Sequence, residues 1–465
     1  MNFVSIDFLY FFMAVFPTYF LLPDRWRNIF LLLASYFFYA FWSVKYLCLL
    51  VFTMALDYFV AIGIDSARTE RNRKYFLTFS IVANLGILFI FKYFNLFSGV
   101  VASITGRSTP MLSLVLPFGI SFYTFHAMSY TIDVYRKTIP VERNFIYYSG
   151  YVMFFPQLVA GPIARASHLL HQFSEKKVFR IENLKAGSWL ILRGYVLKVV
   201  LADHLGAYVD AYFGTDVIKT PFLVTQAIYF FAFQIYFDFS GYTDMARGIA
   251  RLMDFDLVVN FNRPYVATSI TDFWRRWHIS LSTWLRDYLY ISLGGNRHGS
   301  WKTYRNLMLT MLLGGLWHGA HFTFLVWGGL HGLYLVAEKA LGNTWIGRVC
   351  KKIPTPIRIV AVFHLALLAW IFFRASDFRQ AFDYTRQLGH TLVHASEWKR
   401  LEFQKRLWVM ILVWMGFEAV EARLELSVRH ARSHWAFQFA LIYAGILLVA
   451  LFSEINPKAF IYFQF

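Results

Sequence analysis

Two histidines in this chain have neighbours that suit proton transfer. His318 lies in Gly314-Gly315-Leu316-Trp317-His318-Gly319-Ala320, where flanking glycines let another backbone or a substrate come close. His278 lies in Trp274-Arg275-Arg276-Trp277-His278-Ile279-Ser280, in a more polar stretch. An ionisable side chain within a membrane segment is costly to desolvate and is therefore a functional candidate by default. An imidazole kept out of water is held neutral, the form that can take a proton from an acceptor hydroxyl. The competing reading for His318 is a hydrogen bond to a neighbouring helix. For His278, beside two arginines, it is a helix surface whose charged side chains reach out to water. His318, His321 and His331 could be drawn as metal ligands. With no H-E-x-x-H spacing and no carboxylate close by, no metal is expected.

Other chemistry-bearing residues are less specific. Arg297, His298, Lys302 and Arg305 could hold the phosphates of an acyl-CoA, although retention of positive charge on the cytoplasmic side would give the same cluster. Asp7, Asp57 and Asp238, with Lys45 and Lys92, could form a proton or ion path, or pair with one another. The chain has no Walker A loop, no G-x-G-x-x-G and no G-x-S-x-G, which argues against ATP-driven transport, a Rossmann cofactor and a serine hydrolase.

The elements that must position these residues are membrane helices. The chain has 465 residues, of which 58% are hydrophobic and only 15% charged, too few charges to solvate a soluble protein of this size. Its mean hydropathy is +0.47. The formal charge of +18 could suit nucleic acid, but the long apolar runs do not, so the excess Lys and Arg read as loop charge and no nucleic-acid partner is expected. Cys48 and Cys350 form neither a disulfide framework nor a metal spacing. The first apolar run starts at Phe3 without a basic leader, so it reads as a retained helix.

Apolar runs near the twenty residues that span a bilayer recur at about 3-22, 28-43, 46-64, 75-97, 111-132, 145-162, 184-201, 222-240, 304-320, 322-341, 357-373, 407-420 and 435-453. Basic loops at 65-74, at 346-358 and around Arg423, Arg429 and Arg432 set the orientation, with both termini outside. The segment 145-162 contains Pro156, Gly161 and Pro162 and would put the basic stretch after it on the wrong side. It is therefore expected to be re-entrant, leaving twelve crossings. Between Gly241 and Thr303, the residues Phe273, Trp277, Leu281, Trp284, Leu285 and Tyr288 recur at steps of three and four, which predicts one interfacial helix ended by the turn residues 294-299. The expected fold is an all-α, polytopic integral membrane helical bundle with re-entrant and interfacial helices, forming a single domain over 1-465.

Three motifs then carry a resemblance: the run from Phe237 to Gly248 (FDFSGYTDMARG), Asp272 to Ser282 (DFWRRWHISLS) and Gly314 to Gly319 (GGLWHG). Together they resemble the membrane-bound O-acyltransferase family over essentially the whole chain, with a signature region at about 237-335. Pro156 to Pro162, Leu293-Gly294-Gly295-Asn296-Arg297 and the ending Phe460 to Phe465 resemble its alginate O-acetylation branch and other polysaccharide-acetylating relatives. The resemblance implies His318 as the catalytic histidine and His278 as the second signature residue. Beside them, Asn296, Arg297 and Lys302 are expected as donor contacts on the strength of the basic cluster they belong to. The resemblance also implies acetyl-CoA or an acyl carrier protein as a thioester donor substrate and no bound cofactor. The acyl group would cross a bacterial inner membrane, with both termini periplasmic, to an exopolysaccharide or to a periplasmic acetyltransferase or acceptor protein, with membrane lipid around the chain. The alternatives are a multi-pass transporter or flippase for the acyl donor or a polymer precursor, and a scaffold for a polymer synthase.

Overall fold

The structure, a computed structural model, describes residues 1-158, 161-214, 217-394, 396, 404-424, 435-452 and 460-461. Val159, Ala160, Arg429, Arg432 and the ending 462-465, all invoked above, lie outside them. Among the described residues 78% are helical and none is in a strand, so the protein is an all-α, multi-pass membrane protein. Among the described residues four helices are long and apolar enough to cross a bilayer: Val44–Ser66, Glu70–Thr105, Pro221–Leu252 and Thr355–Arg374. Ile6–Leu21 and Ala440–Phe452 are apolar but shorter. Other expected spans are helices with charge in their first turns, such as Asp24–Ala40 with Arg25 and Arg27, and Gly299–His318 with Lys302 and Arg305. The chain forms two compact units, Met1–Ile191 with Tyr242–Val258, and Leu192–Gly241 with Val259–Phe465.

The first unit is organised around a buried carboxylate. Asp57 Oδ1 accepts the Ser80 hydroxyl at 2.5 Å, and Oδ2 accepts the Asn84 amide at 2.8 Å. Ser80 Oγ also lies 3.2 Å from Thr131 Oγ1, so three helices share one polar centre. Asp7 and Lys45, grouped with Asp57 as buried charges on sequence grounds, are exposed. The helix expected from 111 begins instead at Ile120, because Pro117 precedes it and Gly119 turns the chain at φ 69°. A Cβ at Gly119 would meet the Leu158 carbonyl at 2.6 Å, so only glycine allows this approach.

Leu158 belongs to the segment expected to be re-entrant. It contains the nine-residue helix Phe145–Met153, a break at Phe154, and one turn, Phe155–Leu158. Nine residues rise about 14 Å, roughly half a hydrocarbon core. At the break, the Phe155 N–H finds a partner within the protein, donating to Ser35 Oγ at 3.2 Å.

In the second unit, the predicted interfacial helix is broken in two. Ile270–Arg276 ends at Trp277, and Ile279–Trp284 begins after His278, continuing as a wider turn over Leu285–Tyr290. The break has a visible cause. The Ile279 N–H donates to the Asn260 carbonyl and the Asn262 N–H to the Arg276 carbonyl, both at 2.9 Å, so the strand-like stretch 260-262 pulls the backbone out of the helix. All six apolar residues that predicted the amphipathic face are nevertheless buried, because the break preserves which side faces the core. Glycines bring the next two helices, Gly299–His318 and Phe322–Leu341, together. A Cβ at Gly315 would lie 2.2 Å from the Phe324 carbonyl, and one at Gly328 would lie 2.2 Å from that of Met311.

Candidate active site

His278 sits at the break itself, fully buried, with φ 42° and ψ 55°. A left-handed backbone is costly for a residue with a bulky side chain and persists only where its surroundings dictate it. Asn260 supplies that constraint. Its Oδ1 accepts the Ser280 N–H at 3.1 Å and the Ser280 hydroxyl at 2.9 Å, and lies 3.2 Å from His278 Nδ1. A backbone N–H can only donate, so the atom it meets is the amide oxygen, and Nδ1 of His278 must carry the proton. Nε2 is then the basic nitrogen. The short helices on either side are too short to span a membrane, and burial in this core lowers the imidazole's proton affinity, which keeps it neutral at physiological pH. Phe239 packs edge-on to the ring at a centroid distance of 4.7 Å.

His318 is the last residue of Gly299–His318 and is 4% exposed. Its ring meets Trp317 at 5.0 Å, Trp327 at 4.9 Å and Phe373 at 5.2 Å, all near-perpendicular. Trp317 also lies 6.1 Å from the His278 ring. The fold therefore brings both sequence-predicted histidines against one indole, although 40 residues separate them in the chain. His331, one helical turn beyond Trp327, is buried in a box of Phe273, Trp274, Trp327 and Tyr334 at 5.0 to 5.9 Å. His321, the third residue of the imagined metal set, is exposed, and no group of three His, Cys, Asp or Glu side chains suited to a metal occurs among the described residues.

The predicted donor contacts Asn296, Arg297 and Lys302 are exposed at the opposite end of the helix that carries His318, with Lys302 about 24 Å along the axis from it. None of the three lines the cavity of about 360 Å³ in this unit, which is walled by Trp274, Arg275, Ile279, Ser282, Arg286, Tyr290, Thr310 and Met311 among others. The Tyr290 hydroxyl, in that wall, donates to Asn296 Oδ1. The same Trp274 is one side of the His331 box, so the cavity reaches the aromatic shell around the histidines.

Sequence reading missed three features of this unit. Asn260 orients His278 from a loop with no recognisable motif. Phe373 comes from a helix 55 residues after His318. The partner of Asp238, one of the acids for which a proton path or pairing was open, is Lys198, outside the residues named: its ammonium lies 3.1 Å from Asp238 and 2.8 Å from Asp203, and the Ile461 N–H donates to the second Asp238 oxygen at 2.9 Å. An ion triad of this kind satisfies buried charge locally.

A helical membrane fold with two buried imidazoles packed on one indole, beside a cavity walled by Trp274 and Ile279, defines a membrane-embedded site suited to proton transfer, and the comparisons give its family. Residues 135–376 match the model of MBOAT, the membrane-bound O-acyltransferase family, and the chain belongs to it. It is an O-acyltransferase. It is 44% identical over 388 residues to a probable alginate O-acetylase, AlgI, of Pseudomonas aeruginosa, covering 82% of this chain and 73% of that protein. It is 36% identical over 436 residues to the peptidoglycan O-acetyltransferase of Helicobacter pylori, covering 87% and 82%. With the teichoic acid D-alanyltransferase of Bacillus subtilis it shares 27% identity over 298 residues, covering 58% of this chain and 71% of that protein.

Proposed function

We propose that the protein moves acetyl groups from a cytoplasmic thioester, acetyl-CoA or an acyl carrier protein, across the inner membrane to an exopolysaccharide of the alginate or cellulose type, or to a periplasmic partner that completes the transfer. The observation that carries this reading is the juxtaposition of His278 and His318 on Trp317 at the centre of a ring-lined core. His318 acts as general base on the acceptor hydroxyl: it takes the proton as the oxygen attacks the thioester carbonyl, and the thiolate leaves when the tetrahedral intermediate collapses. His278, with Nδ1 held by Asn260, presents Nε2 to the reacting groups. The donor's apolar arm occupies the cavity beside Trp274, with Arg275 and Arg286 in its wall and Asn296, Arg297 and Lys302 as outer phosphate contacts.

The test is acyl transfer by purified protein in detergent, where transport has no meaning. Labelled acetyl-CoA should pass its acetyl group to an acceptor sugar or partner protein, and His318→Gln should abolish the transfer while the protein stays folded. A protein that moves the donor across vesicle membranes but transfers nothing in detergent is a transporter.

A further inference from the structure

Between Phe322–Leu341 and the membrane-crossing Thr355–Arg374 lies a helix that the reaction does not use, Trp345–Lys352. Its three sides differ in chemistry. Gly347 faces the protein, so close that a Cβ there would meet the Leu341 carbonyl at 2.3 Å, which seats the helix flat across the end of Phe322–Leu341. Trp345, 67% exposed, and Val349, 52% exposed, stand one turn apart on a second side, with Ile353 following at the same spacing. Arg348, Lys351 and Lys352 form the third side, all exposed. The sequence from 339 to 376 contains no Asp or Glu, and none of the three forms an ion pair among the described residues. Thr344 fixes the start, its Oγ1 accepting the Gly347 N–H at 3.5 Å and donating to the Leu341 carbonyl at 2.7 Å.

A short helix joined at each end to apolar helices, with an exposed apolar side and an exposed basic side, lies at a membrane surface. We propose that Trp345–Lys352 is an anionic-phospholipid site, in which Arg348, Lys351 and Lys352 hold headgroup phosphates while Trp345, Val349 and Ile353 enter the acyl boundary. Charge complementarity selects the occupant: zwitterionic headgroups offer no net charge to three unneutralised cations, whereas each basic residue near an anionic surface contributes about 1 kcal/mol. Three such residues correspond to a local enrichment of anionic lipid of up to about a hundredfold at low ionic strength, falling as salt screens the charges.

The protein supplies its own reporter. Cys350 is exposed on this helix, and Cys48 is the second cysteine of the chain, so Cys48→Ser leaves one thiol to label with a fluorophore. The full-length labelled protein is reconstituted in two vesicle mixtures at the same lipid ratio. In one, the minority lipid is brominated phosphatidylglycerol in phosphatidylcholine, and in the other it is brominated phosphatidylcholine in phosphatidylglycerol. Quenching by the brominated anionic lipid should exceed quenching by the brominated zwitterionic lipid several-fold. The excess should fall with added salt and disappear in the R348Q/K351Q/K352Q variant. Equal quenching in the two mixtures, or an excess that salt leaves unchanged, overturns the proposal. The salt series uses the unmutated basic side, so the outcome does not depend on the variant folding.

Discussion

Asp57 and His318 are both ionisable groups buried in apolar surroundings, yet they are held in different ways. Each oxygen of Asp57 receives a hydrogen bond from a side chain on the adjoining helix, and Ser80 extends the bonding to a third. His318 is walled by the rings of Trp317, Trp327 and Phe373. Hydrogen bonds tie a polar group's electrons to fixed partners and join helices. Rings fix an imidazole's position by shape. The first arrangement is that of a fastener, the second that of a reagent, and substitutions at the two sites should separate stability from rate.

The largest effect is expected at His318. His318→Ala and His318→Gln should each lower transfer by at least about 10²-fold, the lower range for a positioned base. Glutamine can replace a hydrogen bond but cannot accept a proton at neutral pH, so it should be as inactive as alanine. Rate per folded molecule, with folding checked by detergent size-exclusion profile and thermal midpoint, decides the matter. A well-folded His318→Gln protein with near wild-type rate would make His318 a fastener like Asp57.

Asp57→Ala should do the reverse. It removes one acceptor each from the Ser80 hydroxyl and the Asn84 amide, which keep only Thr131 Oγ1 and the Ser80 carbonyl, at a cost of about 1–3 kcal/mol. Thermal midpoint and yield should fall while specific activity of the folded fraction stays within about twofold. A fall in rate without a loss of stability would give Asp57 a part in the chemistry.

Asn260→Ala should lower the rate by less than His318→Gln, with some loss of stability beside it because the buried Ser280 N–H and hydroxyl lose their shared acceptor. It removes the acceptor that orients His278 and two groups of Ser280, and a bond worth about 1.4 kcal/mol corresponds to a tenfold loss in rate. The loss should appear in kcat with KM little changed, since Asn260 touches the histidine and not the donor cavity. A change confined to KM would show that the 260-262 stretch serves binding.

Much of this was legible in the sequence. Runs of apolar residues exposed the membrane helices, and His278 and His318 stood out because ionisable residues are rare in such runs. The face predicted by Phe273, Trp277 and Leu281 is buried, yet the helix drawn through it is broken. Periodicity reports which side of a segment is apolar, and residues 260-262 redirect the backbone through bonds that periodicity cannot register. The start of the helix at Ile120 is a local effect of Pro117 and Gly119, and so was readable. The Phe373 wall of the His318 pocket and the Lys198 partner of Asp238 come from distant sequence, where only the folded chain shows which residues meet.

The smallest effect is expected at His331, where the comparison is at its sharpest. Among the described residues neither ring nitrogen of His331 has a hydrogen-bond partner, and the ring stacks on Phe273 at 5.8 Å with only 7° between planes. If its role is to brace Trp327, which packs against His318, then ring shape is what matters. His331→Phe keeps a flat ring and removes two buried polar atoms, so stability should be unchanged or slightly raised and the rate should hold within about threefold. His331→Ala, by contrast, leaves a cavity, costing several kcal/mol by analogy with other large-to-small core changes, and lets Trp327 shift. It should therefore lower both thermal midpoint and rate. The two variants together separate bracing from chemistry: if His331→Phe folds normally but loses activity to the extent of His318→Gln, a nitrogen of His331 handles a proton, and the ring-lined core holds a third functional imidazole.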